Sequence, residues 1–288
     1  MSLLKEEELL KILPNDGPSV EEVKKYLDKY NNEFIVIKCG GSVLDDKNLF
    51  NIFIKDISVI KKIGLSPIII HGGGKRINNK LNELKIESVF FKGLRVTDDK
   101  ILNVVEDVLI EFNKEIASAL KDQNCNTKRI TSKEVNIMIV KRVSDDLGFV
   151  GTPYNINTEI LEKIIQSNEV PVIAPLGLNE KDQTFNINAD TAAGSLAKAL
   201  KARRLLIVSD VEGVLDKNNK LITEINSNMA KEMVDKGIIS GGMIPKIHNC
   251  LDVASNGVKG VVIIDGRKNH SILFELLSDK GSGTLIRK

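Results

Sequence analysis

The chain has 288 residues, enough for one large domain or two coupled ones. Its 41 Lys and Arg nearly balance 39 Asp and Glu, leaving +2, and 42% of the residues are hydrophobic. That balance excludes collagen, a coiled coil, wholesale disorder and a nucleic-acid binder driven by a broad basic surface, and no run approaches the ~18 apolar residues of a membrane span.

The N-terminal tract reads as two helices. Leu3, Leu4, Leu9, Leu10 and Leu13 give an apolar segment that stops at Pro14, and Asn15-Asp16-Gly17-Pro18 is a turn. Ser19 opens a second helix with Glu22 as the other half of a capping box. Val20, Val23, Leu27 and Tyr30 follow at helical spacing and share one face, which a lone short helix must bury against something. The first 33 residues carry five Lys, eight acids and no Arg, the wrong composition for a transit peptide. Cys39, Cys125 and Cys250 form no CxxC pair, so neither a disulfide framework nor a zinc site is expected. The chain reads as cytoplasmic and unprocessed.

From Phe34 the rhythm changes. FIVIK (34–38), SPIIIHGGG (66–74), VPVIAP (170–175), RLLIVSD (204–210) and GVVIID (260–265) are apolar, β-branched runs, most of them ending in glycine or acidic loops. Helical patterns separate several of them, the clearest being Ile101, Val104, Val105, Val108, Phe112 and Ile116, with Thr97 expected as the cap. Alternation of this kind predicts an α/β fold with a mainly parallel sheet covered on both faces. KRIT, NIMIVKRV and GFVG, between about 125 and 157, read instead as a β-hairpin insertion. A boundary between two lobes is expected near residue 178.

Ligands of such sheets bind beyond the carboxyl ends of the strands, where the glycine loops lie. Lys38-Cys39-Gly40-Gly41-Ser42 places a cation beside backbone that can approach an anion, or equally a snorkelling lysine beside an ordinary turn. It is neither a Walker A motif nor a dinucleotide fingerprint. His71-Gly72-Gly73-Gly74 opens a helix near Lys75, an anion site built from backbone donors, while His71 reads as a base or as a packed histidine bonded to a carbonyl. Arg95 offers a planar fork for a carboxylate, although a loop arginine is often merely solvated. Asn186 and Asn188 precede Asp190, which sits where a helix cap would. Ser209, Asp210, Gly213 and Val214 end another strand, and Gly241, Gly242 and Met243 lead to Lys246. Two lysines, an arginine and carboxylates on strand-ending glycine loops suit the holding of polyphosphate and an acidic acceptor.

In the order KCGGS, HGGG, KGLRVT, LGFVG, NINADTAAG, SDVEGVL, ISGGMIPK, IIDGR and GSGT, these motifs resemble the amino acid kinase family over about 34–284, and within it the members that phosphorylate N-acetyl-L-glutamate. The resemblance implies an αβα sandwich with an N-terminal helical extension (1–33), an amino-acid lobe (34–178) and a nucleotide lobe (179–288). It implies transfer of the ATP γ-phosphoryl group to the acceptor's side-chain carboxylate, in arginine biosynthesis. Lys38 and Lys246 would flank the moving phosphoryl group, and Asp190 would hold both lysines. Gly73, Gly74, Arg95 and Asn186 would bind the acceptor. Gly40, Gly41, Ser209, Asp210, Gly213, Val214, Gly241, Gly242 and Met243 would line the nucleotide. Mg²⁺ would arrive on the phosphates, with no protein ligand set expected. Relatives with the N-terminal helix interlace it as hexamers, trimers of dimers, inhibited by arginine, so arginine is expected near the helix root and Lys280–Thr284. Two readings stay open beside this one: a kinase of the same family acting on carrier-protein-linked aminoadipate or another amino-acid acceptor, and an inactive nucleotide- or arginine-sensing regulator. The latter should have lost a lysine or the aspartate, and all three are present.

Overall fold

The computed structural model describes residues 5–288, apart from the side chain of Ser42. Leu3 and Leu4 of the expected first helical segment lie outside the described residues. Helices α1 (Glu6–Ile12) and α2 (Val20–Leu27) come first, followed by β1 (Phe34–Cys39), α3 (Gly41–Asp45), α4 (Lys47–Lys62), β2 (Ser66–His71) and α5 (Gly74–Glu83). A two-stranded hairpin, β3 (Phe90–Phe91) and β4 (Leu94–Arg95), leads to the long α6 (Asp99–Asp122). Next come β5 (Thr127–Ile130), β6 (Met138–Arg142), β7 (Val150–Ile156), α7 (Thr158–Gln166), β8 (Val170–Ile173), β9 (Leu176–Leu178), β10 (Thr184–Ile187) and α8 (Ala189–Ala199). The last part holds β11 (Arg204–Ser209), the small pair β12 (Val214–Leu215) and β13 (Leu221–Ile222), β14 (Glu224–Ile225), α9 (Ser227–Asp235), α10 (Met243–Ser255), β15 (Val261–Asp265), α11 (Ser271–Leu277) and β16 (Gly283–Ile286).

Eight strands form one sheet in the order β14-β16-β15-β11-β1-β2-β8-β5. The six from β15 to β5 are parallel, and β16 runs antiparallel to β15. The period of two in each strand decides which layer a residue joins. On β1, Ile35, Ile37 and Cys39 enter a core with α4, α6 and α11, whereas Val36 enters the core with α7, α8 and α10. Lys38 has the parity of Val36 and so faces α8. On β11, Ser209 shares the parity of Leu205 and Ile207 and faces α8 and α10. On β2, His71 shares the parity of Ile69 and faces α6. Helices on both faces of a mainly parallel sheet are the α/β sandwich that the alternation predicts.

Three sequence expectations need correction. KRIT does not belong to the hairpin insertion: β5 pairs with β8 and forms the edge of the main sheet. The hairpin itself is β6 and β7, and it closes a small barrel with β9 and β10. Thr97 does not cap α6, because its hydroxyl donates to Arg95 O (2.8 Å), and Asp98 accepts from Ile101 N instead. The cap of α8 is Asn188, whose side chain accepts from the N–H groups of Asp190 (3.0 Å) and Thr191 (3.1 Å). Asp190 therefore sits inside the first turn with its carboxylate available to other partners.

The capping box of Ser19 and Glu22 is present. Val20, Val23, Leu27 and Tyr30 are all buried, in the chain's own core beside α4 and α11 rather than held out for a neighbouring subunit. Burial of each is worth about 1.5–3 kcal/mol before entropy. On α1, Leu9 is fully buried but Leu10 is 62% exposed.

Candidate active site

Two glycine loops meet where β1 and β2 end. Cys39 pairs with His71 in register, and Gly72 N–H donates to Cys39 O at 2.7 Å. A Cβ on Gly72 would stand 3.1 Å from the Cα of Gly40, and one on Gly40 would stand 2.8 Å from Lys38 Nζ. Glycine at both positions allows the backbones to pass and the ammonium to reach the cleft. The cleft beyond them, ≈ 280 Å³, is lined by Lys38, Gly40, Gly41, Gly72, Gly73, Gly74, Arg95, Asn186 and Asn188, with Phe90 and Leu109 as apolar wall. Gly40 and Gly41, expected on the nucleotide side, line this same cleft as Gly73 and Gly74.

Lys38 Nζ lies 2.9 Å from Asp190 Oδ1, with both side chains largely buried. Burial alone would raise the Asp190 carboxyl, but the charges of Lys38 and Lys246 outweigh it and hold the group below its ordinary value. Lys246, in the first turn of α10, does not pair directly with Asp190 within ion-pair distance; its Nζ donates to Ser209 Oγ at 3.1 Å. Asn249, about one turn further along α10, donates to Asp190 O at 3.3 Å and ties the two helices. The site thus holds two ammonium groups around one buried carboxylate.

Arg95 is 7% exposed and already engaged. Its guanidinium donates to Asn78 Oδ1 (2.8 Å), to Gly74 O (3.4 Å) and to the Ser88 hydroxyl, and it stacks 4.6 Å from the centre of the Phe90 ring. Burial lowers its pKa from the usual arginine value. Asn186 donates to Thr97 Oγ1 at 3.3 Å, and Glu106 on α6 accepts from Ser132 and Thr184 nearby. Ser88, Asn78, Phe90 and Asn188 were not among the expected site residues. Only Asn188 had a legible signal, as the asparagine two positions before the aspartate.

His71 is fully buried, and desolvation lowers its pKa to about 4. It is neutral at ordinary pH and packed against Phe112 at 5.2 Å. Its Nδ1 lies 2.9 Å from Gly72 O, so the packed-histidine reading holds and that of a base does not.

A second cleft, ≈ 410 Å³, lies where β11 ends and is lined by Asp210, Gly213, Val214, Met243 and Arg267 among others. Gly213 has φ +135 and Gly241 φ +54, conformations that favour glycine. Gly242 caps α10 with no side chain in the way. Val214 N–H donates to the buried Thr284 hydroxyl (2.8 Å), which fastens this loop to β16. Arg267 Nε and Nη2 each lie 2.9 Å from an oxygen of Asp265, a bidentate pair at the cleft's edge. Among the described residues, no group of three or more His, Cys, Asp or Glu is placed to hold a metal ion.

A mainly parallel sheet with two glycine-loop clefts at its strand ends, and two lysines whose charges act on one carboxylate, defines a kinase-like phosphoryl-transfer fold. The chain belongs to the amino acid kinase family, whose description matches residues 33–265. Within that family it stands with the acetylglutamate kinases. It is 70% identical to the acetylglutamate kinase of Pelagibacter ubique over 288 residues, all of both chains. It is 42% identical to that of Ruegeria pomeroyi over 91% of this chain and 92% of the other. Among solved structures, the N-acetylglutamate synthase of Neisseria gonorrhoeae complexed with coenzyme A and N-acetyl-glutamate superposes with a TM-score of 0.85 at 21% identity. That match covers 93% of this chain and 62% of the longer synthase chain, and it speaks to the fold alone.

Proposed function

We propose that the chain transfers the γ-phosphoryl group of ATP to the side-chain carboxylate of N-acetyl-L-glutamate, giving N-acetyl-L-glutamyl 5-phosphate. The observation that carries the reading is the Lys38–Asp190 pair at 2.9 Å with Lys246 close enough to act on the same carboxylate. Phosphoryl transfer asks for positioning and charge neutralisation more than covalent help. Lys38 faces the acceptor cleft and Lys246 rises beside the second one, so both ammonium groups would stabilise charge that builds on the moving phosphoryl oxygens. Asp190 keeps the two cations from repelling each other. No general base is required, because a carboxylate acceptor is ionised at pH 7.

The acceptor would rest its carboxylate on the N–H groups of Gly73 and Gly74 at the start of α5. Arg95, held by Asn78 and Ser88, would present its remaining surface to the acceptor's α-carboxylate, and Asn186 would meet its amide. ATP would lie over Ser209–Val214 and the Gly241–Met243 turn. Mg²⁺, when bound, would neutralise the phosphates, held by their oxygens rather than by a set of side chains. On this reading, residues 34–178 serve the acceptor, 179–288 the nucleotide, and the protein is cytoplasmic. None of its described helices is long and apolar enough to cross a membrane.

Arginine inhibition belongs to the same proposal. A cleft of ≈ 380 Å³ lies beside α11, lined by Lys268, Asn269, Phe274, Lys280, Gly281 and Ser282. Behind Gly281, burial raises the pKa of Glu275, whose carboxylate accepts from Ser282 N–H at 2.9 Å. A guanidinium would pair with Glu275 while Lys280 received the α-carboxylate. Tyr26 and Lys25 on α2 both reach Asp279 at 2.5 Å, which couples this corner to the N-terminal extension. Assembly as a trimer of dimers would use the exposed side of α1 around Leu10, since the α2 stripe is already covered.

The reaction is tested by trapping. An acyl phosphate made from N-acetylglutamate reacts with hydroxylamine to give the γ-hydroxamate and inorganic phosphate. That hydroxamate should appear only with ATP, Mg²⁺ and acceptor together. ADP release without any hydroxamate would mean transfer to a group other than a carboxylate, and the proposal would fail.

A further inference from the structure

His71 and Asn113 are both fully buried, lie on facing elements β2 and α6, and have no part in the chemistry above. Their hydrogen bonds run in one direction. Arg129 Nε donates to Asn113 Oδ1 at 3.2 Å, which fixes which end of that amide carries the hydrogens. Asn113 Nδ2 then donates to Val172 O at 2.9 Å and lies 3.2 Å from His71 Nε2. An amide nitrogen can only donate, so Nε2 accepts and the ring proton sits on Nδ1. Nδ1–H therefore donates to Gly72 O at 2.9 Å.

The consequence falls on the next peptide. In a trans peptide the C=O and N–H point to opposite sides, and none of the described peptides is cis. The Gly72 carbonyl is drawn inward to His71, so the N–H of Gly73 points outward, to the cleft that Gly73 lines. That N–H has no hydrogen-bond partner among the described residues. The other side of the loop is pinned by Gly72 N–H on Cys39 O at 2.7 Å.

We propose that Arg129, Asn113 and His71 form a one-way hydrogen-bond relay that sets the direction of the Gly72–Gly73 peptide and so aims the Gly73 N–H at the acceptor's carboxylate. His71 and Asn113 are positioning residues, acting through the glycine backbone. This rests on the acceptor reading of the cleft. The burial that keeps His71 neutral suits the role, because a ring that gained and lost a proton near pH 7 would disturb the loop.

The first measurement is the ¹⁵N spectrum of histidine in the intact, unliganded protein, which has only His71, His248 and His270 to assign. His71 should show a protonated Nδ1 and a bare Nε2, unchanged from pH 6 to 8. A proton on Nε2, or titration within that range, would overturn the relay. This result does not depend on which acceptor is used, so it stands or falls apart from the functional reading. The second is kinetic. His71→Phe keeps an aromatic ring, somewhat larger, and removes the donor, and should raise KM for N-acetylglutamate about tenfold, the scale of one lost hydrogen bond, with KM for ATP within about twofold. His71→Asn puts an N–H donor back near the Nδ1 position and should recover most of that loss. Asn113→Leu should bring in a population protonated on Nε2, with a smaller rise in acceptor KM. An unchanged acceptor KM in His71→Phe, KM values for both substrates rising together, or a His71→Asn no better than His71→Phe would each overturn the proposal. Wild-type protein that releases no ADP with N-acetylglutamate would instead sink the functional reading and leave the tautomer result intact.

Discussion

Lys38 on β1 and Asp190 on α8 meet at 2.9 Å because strand parity turns Lys38 toward the helix that Asn188 caps. The capping work is done by Asn188, so the aspartate is released for the lysine. Asp190→Asn should accordingly keep the helix and the melting temperature nearly unchanged while kcat falls by roughly 10² or more. A variant that keeps its activity would show that the carboxylate only fills space, and one that loses its fold would return it to a structural role.

Lys38→Ala and Lys246→Ala should each lower kcat by roughly 10²–10³, the scale of one transition-state charge stabiliser removed. The two should differ in KM. Lys38 lines the acceptor cleft, so its loss should weaken acceptor binding more than ATP binding. Steady-state kinetics with each substrate varied in turn reads both effects, and kcat near wild type in either variant would retire that lysine.

Arg95→Lys tests the buried fork. A lysine is a compact point charge that cannot span, as the planar fork does, the partners that Arg95 now engages from two nitrogens, Asn78, Ser88 and the Gly74 carbonyl, and it cannot stack on Phe90 in the same way. Acceptor KM should rise by about tenfold, with kcat changed less. An acceptor KM that stays put would remove Arg95 from the acceptor site.

Stability should fall as pH rises, through one buried cluster. His270 Nδ1 lies 2.5 Å from Asp56 Oδ1 and its Nε2 lies 3.1 Å from Asp16 Oδ1, joining α11, α4 and the turn before α2. The hydrogen bond to Asp56 holds His270 above its ordinary value, against desolvation and the charge of Lys55. Burial pushes Asp56 up to about 6, with His270 pulling it back. His270 in the folded pair therefore keeps a proton that the unfolded chain gives up near ~6.5, so that contribution is full below that pH and is lost as pH rises through the raised His270 value. The raised Asp56 value takes stability away earlier, as pH rises from ~4 through about 6. The melting temperature should drop as pH rises past ~6.5 through the raised His270 value, and His270→Gln combined with Asp56→Asn should flatten that slope. A wild-type slope equal to that of the double variant would show that the cluster carries no linked proton.

The N-terminal extension should have two separable parts. Removing residues 1–30 takes Val20, Val23, Leu27 and Tyr30 out of the core, and large-to-small losses of this kind cost about 2–5 kcal/mol each. That deletion should therefore destabilise the chain, whatever it does to assembly. Leu10→Asp touches only an exposed side chain. It should convert a hexamer to dimers, keep the kinase rate and weaken the response to arginine. Light scattering and rate against arginine concentration read both, and a hexamer that survives with full inhibition would place the interface elsewhere.

The sheet was legible because buried parallel strands must be continuously apolar, and the five runs from FIVIK to GVVIID all became strands of it. KRIT was misplaced because an edge strand that carries two adjacent cations looks like hairpin texture: Lys128 is exposed, whereas Arg129 turns to the opposite face and reaches Asn113 on α6. The glycine loops were visible as composition, and so was the Ser19–Glu22 capping box, but the caps of α6 and α8 were not. Thr97 and Asp98 are both good caps by residue type, and only the geometry of the preceding strand, which commits the Thr97 hydroxyl to Arg95 O, decides between them. The support behind the site was hidden more deeply. Asn113 sits among the apolar positions of α6, where sequence spacing shows only an interruption, and its partners His71 and Arg129 lie 42 and 16 residues away.

The most direct measurement is ADP release with ATP and Mg²⁺ against a panel of acceptors: N-acetyl-L-glutamate, free glutamate, aspartate, carbamate, UMP and aminoadipate presented on a carrier protein. Turnover should be fastest with N-acetyl-L-glutamate and poor with free glutamate, whose charged ammonium would enter a cleft already held positive by Lys38 and Arg95. Faster turnover with UMP or with the carrier-linked acceptor, or no turnover with any amino-acid acceptor, would contradict it.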